Sequence, residues 1–511
     1  MHRKWWTLVA ACVATFMLLV DITIVNVALP DIQSDLGASF AELQWVVDAY
    51  ALMLATLMLT AGSLADLLGR RRVFAIGLVL FSVASLMCGL ATSAVALDLF
   101  RGAQGIGGAA MFSTSLALIA QEFHGRERGT ALGIWGATIG GAVAIGPLVG
   151  GLLTEGIGWE WIFFVNVPIG IAAVVLTLAR VHESRDPQAR GVDWAGAVTW
   201  SGALFLFVFA LIRANDEGWG STLIVCCLGG SLGLLLMFFG FELRQQRPML
   251  DLSLFRKPSF AGASIVAFAL SASMFAMFLY LTLYIQNILG YSPLEAGMRF
   301  LPLTLVSFVA APISGRLSAR VPVRVLLGAG LVLVGIGLAL MGGLTTDSTW
   351  TALLAGFLIA GAGIGTLNPA LATTAIGVVP PARSGMASGI NSTFRQVGIA
   401  TGVAALGAIF QHRIETKVVE LLSGTPVAGR GHAIADMVGN GETAQAIRSS
   451  PPSARGVVAD AARQAFISGL NEILVIGAIL AFVGAGVGFL LVRRRDFVAL
   501  PAAAEPAPAG A

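Results

Sequence analysis

The stretch that decides the fold is Gly62–Arg72, which reads GSLADLLGRRR. It separates two apolar runs, 45–65 and 73–91. Each run is close to the roughly 20 residues that a helix needs to cross the ~30 Å hydrocarbon core of a membrane. The three arginines of the short connection indicate that it turns on the cytoplasmic side. The stretch therefore predicts a helical hairpin of a membrane protein.

The composition of the whole chain favours the same class. Of 511 residues, 57% are hydrophobic and only 12% are charged, whereas soluble proteins carry about 25% charged residues. These values exclude a soluble enzyme or a secreted domain. The formal net charge of +3 is small, so the composition gives no support for a nucleic-acid partner.

Fourteen runs are long and apolar enough to span a bilayer. Each run is continuously apolar, which favours helices over the strands of a membrane barrel, in which apolar and polar residues alternate. The fold class predicted is all-α, with fourteen transmembrane helices. The predicted spans are 6–29, 45–65, 73–91, 94–120, 129–153, 161–180, 194–212, 220–241, 260–286, 297–317, 323–343, 351–371, 384–410 and 469–492.

The orientation follows from the basic residues at the span ends. With the N-terminus in the cytoplasm, most lysines and arginines fall on the cytoplasmic side, including the clusters at 70–72 and 493–495. Short loops on that side are the ones that attract basic residues. An even number of spans returns the C-terminus to the same side. We therefore expect a multi-pass cell-membrane protein with both termini cytoplasmic.

A second basic turn indicates an internal repeat. Gly315–Arg320 reads GRLSAR, a degenerate copy of Gly62–Arg72 placed after span 10 instead of span 2. An offset of eight spans predicts two pseudo-symmetric six-helix bundles with two helices inserted between them, and transporters are often built from such repeats. A chance similarity between two basic turns is the alternative. The predicted domains are an N-terminal bundle (1–180), a linker with two inserted spans (181–257), a C-terminal bundle (258–492) and a cytoplasmic tail (493–511).

The C-terminal bundle carries one long outer loop, 411–468. Its prolines and glycines favour a solvated spacer, with a surface helix near 454–466, over a lid or a partner site. The Ala- and Pro-rich end, 501–511, is typical of disordered segments.

Five motifs in order give the chain a recognisable pattern. Gly62–Arg72 resembles the cytoplasmic loop signature of the major facilitator superfamily, and Leu97–Gly107 (LDLFRGAQGIG) resembles its helix 4 motif. Gly146–Gly151 (GPLVGG) is similar to the helix 5 signature of proton-driven exporters. Leu19–Pro30 (LVDITIVNVALP) and Trp159–Pro168 (WEWIFFVNVP) resemble segments of the fourteen-helix drug:proton antiporter branch.

This resemblance implies a proton-coupled antiporter that exports drugs or antibiotics by alternating access. It also implies a conformational latch at Gly62, Asp66, Gly69 and Arg70, although simple positive-inside anchoring explains the neighbouring arginines equally well. Gly146, Pro147, Gly150 and Gly151 would form the antiporter motif that seals the two halves, with generic small-residue packing as the alternative. The chain departs from the pattern at Ala142 and Glu160, which leaves the class unchanged.

Charged residues inside a membrane are costly and therefore functional candidates. At 1.5 Å per residue, Asp21 lies about 22 Å along span 1 from the cytoplasmic side, and Arg101 lies about 20 Å from the inner end of span 4. The two can share one level. A buried carboxyl that pairs with and separates from an arginine changes its proton affinity. We therefore assign proton coupling to Asp21 and Arg101; a static ion pair, or Asp48 or Asp98 as the coupling acid, are the alternatives.

Other polar residues in the spans are candidates for a substrate cavity: Asn26, Asp48, Gln104, Asn391 and Arg395. The expected partners are the lipid bilayer, protons and a small lipophilic substrate, with cations among the candidates. We expect a monomer, no metal site and no cofactor, with the proton gradient as the energy source. The sequence contains no GK[ST] phosphate-binding loop for ATP.

Two other functions stay open at this point. The chain could export one specific endogenous metabolite, and the direction of transport follows only from the resemblance. A membrane-embedded enzyme or a channel is a different class, but the sequence shows neither a clustered catalytic set nor a repeated filter sequence.

Overall fold

The computed structural model describes residues 3–38, 40–185, 193–245, 248–318, 320–380, 383–439 and 443–498. Within this part, long helices account for nearly all of the chain. They are α1 (Arg3–Leu36), α2 (Phe40–Leu68), α3 (Arg70–Gly89), α4 (Ala94–Glu122), α5 (Gly125–Gly156), α6 (Trp161–Phe164 continuing as Asn166–Arg180), α7 (Trp194–Glu217), α8 (Thr222–Glu242), α9 (Pro258–Ile288), α10 (Pro293–Leu317), α11 (Val323–Met341), α12 (Leu354–Gly377), α13 (Ser384–Leu422) and α14 (Arg455–Leu491).

These helices confirm the predicted fold class. Thirteen of them are long and apolar enough to cross a membrane, and α5, which is not among the thirteen, is a continuous helix of 32 residues. Several helices exceed the predicted spans. The two largest differences are in the C-terminal half. Helix α13 runs twelve residues beyond the predicted end at 410, and α14 begins fourteen residues before the predicted start at 469.

Two helix pairs join the N-terminal and C-terminal halves. The first part of α5 packs against the end of α10, where a Cβ added at Gly133 would lie 2.9 Å from the Cα of Pro312. The second part of α2 packs against the start of α13, where a Cβ at Gly389 would lie 2.8 Å from the carbonyl oxygen of Met58. Small residues allow this backbone approach, so the halves are in close contact at these two places, on the side that the sequence predicts to be cytoplasmic.

The two inserted helices lie beside one of these pairs. Helix α7 packs against both α2 and α13, and α8 packs mainly on α7. The Thr60 hydroxyl of α2 lies 3.0 Å from the Ser201 hydroxyl of α7, and the Ser231 hydroxyl of α8 donates to the carbonyl of Ala203. Most of α8 is exposed, as expected for a helix that faces lipid. The inserted pair therefore flanks the junction of the halves.

The prediction of a solvated spacer at 411–468 is wrong. Helix α13 continues to Leu422, two short helices follow at Gly431–Gly439 and Thr443–Arg448, and α14 begins at Arg455. Their apolar faces form a core that includes Val418, Ile434, Val438, Val458 and Phe466, all fully buried. We call this unit, residues 411–439 and 443–468, the outer cap. The outer cap is stabilised by the burial of apolar residues spaced three and four apart. The prolines and glycines of the segment obscured this pattern in the sequence.

The C-terminal tail is attached to the second half, beside the start of α9 and the end of α12, as far as Val498. The backbone N–H of Ser259 donates to Asp496 (3.0 Å), and the N–H of Val498 donates to the carbonyl of Gly377 (2.9 Å). The predicted disordered end, 501–511, lies outside the described residues.

Candidate functional site

Asp21 and Arg101 form an ion pair in the interior of the N-terminal half. A guanidinium nitrogen of Arg101 on α4 lies 2.5 Å from a carboxylate oxygen of Asp21 on α1. Both side chains are completely enclosed, at 1% exposure each. The contact agrees with the depths estimated from the helix rise. A buried pair of this kind is costly to separate, because each charge then lacks its partner in a medium of low dielectric constant.

Neutral side chains complete the coordination of Asp21. Gln104 donates to one carboxylate oxygen (2.8 Å), and Asn166 from α6 donates to the same oxygen (3.1 Å). Asn166 also bonds to Ser85 on α3, whose hydroxyl donates to the carbonyl of Phe163. Helices α4 and α6 therefore donate directly to a carboxylate on α1, and α3 is linked to it only through Asn166.

The arginine is positioned independently of the acid. Its Nε donates to the carbonyl of Val46 on α2 (2.9 Å), and a terminal nitrogen donates to Gln104 (2.7 Å). The guanidinium carbon lies 4.3 Å from the centroid of the Tyr50 ring, a distance typical of a cation–π contact. Arg101 is thus held in place even when its contact with Asp21 changes.

Asp66 connects the two halves between the end of α2 and the start of α13. Its carboxylate accepts two bonds from Arg70 (2.8 and 2.9 Å) and two more from the backbone N–H groups of Gly385 (3.0 Å) and Met386 (2.8 Å). Those N–H groups are in the first turn of α13, where a helix attracts a negative charge. Simple anchoring of basic residues to the membrane surface does not explain this bond across the halves.

The neighbouring glycines allow this contact. A Cβ at Gly62 would collide with the carbonyl of Gly385, so the two backbones touch directly. Gly69 has φ 113°, a conformation that only glycine adopts readily, and this turn lets the next N–H, of Arg70, bond to Ser184 (2.8 Å). All four predicted latch residues therefore lie in one contact region.

The segment before α9 reinforces the same region. Ser63 donates to the carbonyl of Met249, and Arg383 forms an ion pair with Asp251 (2.7 Å). Partial burial alone would raise the pKa of Asp251, but hydrogen bonds from Ser253 and the charge of Arg383 outweigh it and lower that pKa below its usual value. Asp251 therefore stays ionised at neutral pH, and the ion pair is retained.

Helix α5 lies between α1 of the N-terminal half and α10 of the C-terminal half. Gly150 packs on α1, where a Cβ would lie 2.9 Å from the Ile24 side chain, and a Cβ at Gly146 would overlap Thr23. Gly151 faces α10 near Leu294. Gly146 and Gly150 of the predicted antiporter motif thus lie at close helix contacts, Gly151 lies at an ordinary contact distance, and the side chain of Pro147 lies outside the described part.

A second cationic cluster lies in the C-terminal half. Arg395 on α13 donates to the amide oxygen of Asn368 on α12 (3.1 Å), and its guanidinium carbon lies 5.7 Å from the Phe275 ring. Asn391 is one helical turn before Arg395 and is 6% exposed. Asn368 adjoins Gly136 of α5. The cluster therefore lies where the two halves meet.

The other predicted cavity residues are distributed differently. Gln104 belongs to the cluster around Asp21, and Asp48 is half-buried on α2. The side chain of Asn26 lies outside the described part. Asp98, the other alternative acid, is half-buried near the outer end of α4. Among the described residues, no group of three His, Cys, Asp or Glu side chains could hold a metal ion.

Three participants were not assigned from the sequence: Ser85, Asn166 and Asn368. Asn166 stands within the Trp159–Pro168 motif, and Asn368 precedes a proline inside an apolar helix. A polar amide at mid-membrane depth is the signal that could have identified both, because it needs partners there.

Comparisons with known proteins agree with this architecture. Residues 11–403 match the family model described as Major Facilitator Superfamily. The chain is 38% identical over 405 residues to Multidrug resistance protein Stp of Mycobacterium tuberculosis (strain CDC 1551 / Oshkosh), covering 79% of this chain and 75% of that one. It is 33% identical over 504 residues to the Tetracenomycin C resistance and export protein of Streptomyces glaucescens, covering 97% and 92%.

A solved structure shows the same fold. The proton:xylose symporter XylE superposes with a TM-score of 0.64 at 12% sequence identity, covering 96% of each chain. At that identity the likeness concerns the fold alone.

Proposed function

The chain belongs to the major facilitator superfamily, and on this premise we propose that it is a proton-coupled antiporter that exports drugs or antibiotics from the cytoplasm. Its similar proteins include resistance and efflux proteins, which supports transport outward. The proposed setting is the cell membrane, with both termini cytoplasmic. The energy source is the proton gradient, with no cofactor, and the working unit is a monomer.

The observation that carries the proposal is the buried Asp21–Arg101 pair. Asp21 is a carboxyl at membrane depth whose charge is balanced by one arginine and two amides. When Asp21 takes up a proton, its attraction to Arg101 is lost and the bonds from Gln104 and Asn166 weaken. Protonation thereby weakens the contacts of α1 with α4 and α6, which couples a proton to a conformational change.

Alternating access requires two conformations, and we infer that the latch is formed in one of them and released in the other. In this conformation Asp66 holds the N-terminus of α13, so the cytoplasmic ends of the halves are closed. Release of that bond lets the halves separate on the cytoplasmic side and admits substrate. We infer that proton release and substrate entry belong to the latch-open state.

Reconstituted liposomes test this function. The purified full chain is placed in liposomes with an imposed pH gradient, and accumulation of tetracenomycin C is followed. We expect accumulation that depends on the gradient and stops when a protonophore is added. Transport that requires ATP, or that ignores the gradient, would contradict the proposal.

A further inference from the structure

The C-terminal half contains a buried cation without an acid partner. Arg395 is 9% exposed, and within the described residues no carboxylate forms an ion pair with it. Arg101 in the other half differs, because Asp21 neutralises it. A buried charge that is left uncompensated is strongly destabilising. A negatively charged group that reached Arg395 would therefore be bound favourably, because it would neutralise this buried charge.

Within the described residues, two amide groups near Arg395 offer hydrogen-bond donors, and no carboxylate pairs with it. Because arginine can only donate, Asn368 presents its oxygen to Arg395, and its amide nitrogen is buried with no bonding partner. The amide nitrogen of Asn391 is likewise buried and without a partner. Both residues are more than nine-tenths buried. Unpaired buried donors are costly, so the cluster favours a ligand rich in acceptor atoms.

The helix geometry keeps these donors together at mid-membrane. Arg395 lies eleven residues into α13, about 16 Å from its cytoplasmic end. Asn391 and Arg395 share a face because they are four residues apart. Helix α9 makes a π-helical turn at Ser271–Phe275, which brings Phe275 toward the guanidinium. Such turns are frequent at functional sites.

The cluster also faces the junction of the two halves. Asn368 lies against Gly136 of α5, since a Cβ at that glycine would be 3.6 Å from the Cβ of Asn368. Repeat-built transporters bind substrate at such a junction near the midplane. A ligand there would contact Arg395 and residues of the N-terminal half together.

We propose that Arg395, Asn368 and Asn391 form a subsite that recognises an anionic oxygen group, a carboxylate or an ionised phenol, on the transported molecule. The inference rests on the proposed export function and specifies the substrate class. The unbalanced charge of Arg395 attracts anions and repels lipophilic cations. Substrates of this chain therefore carry an acidic group attached to an apolar body, and cations, which the sequence left open, are poor substrates.

Binding of three matched probes tests the subsite. 2-Naphthoate, 2-naphthamide and 2-naphthylmethylammonium share one ring system and differ in charge. Isothermal titration calorimetry uses the purified full chain in detergent. We expect the carboxylate to bind about tenfold to a hundredfold more tightly than the amide, as a charged hydrogen bond implies, and the ammonium to bind most weakly. Equal affinities, a preference for the ammonium, or no carboxylate binding would overturn the proposal.

Binding to variants tests whether the preference for carboxylate over amide arises from Arg395 and its neighbouring amides. Arg395→Gln should bind carboxylate and amide equally, Arg395→Lys should keep part of the preference, and Asn391→Ala should weaken carboxylate binding only. Arg299→Gln is the matched control, because Arg299 also contacts an aromatic ring, Tyr291 at 3.3 Å, but lies at the outer end of α10. Unchanged amide binding shows that a variant is folded. A preference that survives in Arg395→Gln contradicts the subsite.

Transport measurements keep this inference separate from the proposed function. If Arg395→Gln still accumulates naphthamide in a pH gradient but no longer prefers naphthoate, both proposals stand. If the wild type shows the Arg395-dependent preference in binding but no gradient-driven transport of any probe, the subsite stands and the proton-coupled function falls. If gradient-driven transport occurs without the preference, only the function stands.

Discussion

Asp66 on α2 accepts a hydrogen bond of 2.8 Å from the backbone N–H of Met386 on α13, a residue 320 positions later in the chain. One carboxylate thus ties the end of a helix in the N-terminal half to the beginning of a helix in the C-terminal half. The same carboxylate also accepts hydrogen bonds from Arg70, so both of its oxygens have donors in the closed state.

Asp66→Asn should impair the closed state. Asparagine keeps the size but loses the charge that both Arg70 and the N-terminus of α13 require. An exposed ion pair contributes only ~0–1 kcal/mol, but losing one partner of a buried pair costs about 3–5 kcal/mol. We expect at least a tenfold fall in transport rate in liposomes, with normal membrane insertion. Glu127→Gln, which breaks the exposed Lys4–Glu127 pair, should leave transport unchanged. Wild-type rates in Asp66→Asn would assign the loop to anchoring.

Gly62→Leu tests the backbone contact beside that carboxylate. A side chain at this position collides with the carbonyl of Gly385, so the halves cannot approach. We expect a cytoplasmic side that stays open, measured as increased labelling of a cysteine at position 388 by a thiol reagent. Gly156→Leu, at a position with open space, is the control. Equal labelling of both variants would argue against direct contact as the means of closure.

Asp21→Asn should uncouple transport from protons. Asparagine fits the same space, yet it cannot exchange a proton at physiological pH. We expect loss of gradient-driven accumulation, persistence of substrate exchange, and loss of substrate-induced proton release in detergent. Asp98→Asn is the control, and it should release protons as the wild type does. Proton release that persists in Asp21→Asn would move the coupling role to Asp48.

Arg101→Ala should impair the same coupling from the other side. It leaves Asp21 without the buried cation that stabilises its ionised form. Arg101→Lys should restore part of the activity, because lysine supplies the charge but not the planar fork that reaches Asp21, Gln104 and Val46 together. Proton release and exchange are measured as above. An Arg101→Ala protein with normal coupling would make the pair a purely structural feature.

Ile434→Ala should destabilise the outer cap alone. Ile434 is fully buried in the cap core, and truncation of a buried isoleucine costs about 2–5 kcal/mol. We expect faster amide hydrogen exchange in Gly431–Gly439 and Thr443–Arg448, with unchanged exchange around Asp21. Met437→Ala, which truncates a half-buried neighbour, should have a smaller effect. Slow exchange in the variant would contradict a packed cap.

The sequence allowed the fold and one contact of the site to be predicted for a simple reason. Charges are rare in membrane spans, so Asp21 and Arg101 stand out, and a constant helix rise gives their depths. The helix rise gives the depth of a residue but not the direction in which its helix faces a neighbouring helix. For this reason Asn166 and Asn368, neutral amides in apolar helices, were not connected to the charged residues that they bind.

The outer cap was missed for a different reason. Pro451 and Pro452, together with many glycines, resemble a linker in composition. The structure shows that the apolar residues between these breaks, such as Ile434 and Val438, pack on the extensions of α13 and α14. Tertiary burial therefore outweighs local composition, and a window that averages composition cannot detect it.

The length of α13 has a practical consequence. Its 39 residues extend about 58 Å, roughly twice the thickness of the hydrocarbon core, and α14 rises beside it. The packed cap therefore extends beyond the hydrocarbon core as a landmark of the C-terminal half. In single-particle electron microscopy such an asymmetric feature serves as an internal fiducial, which distinguishes the pseudo-symmetric halves and orients particles without an attached antibody fragment.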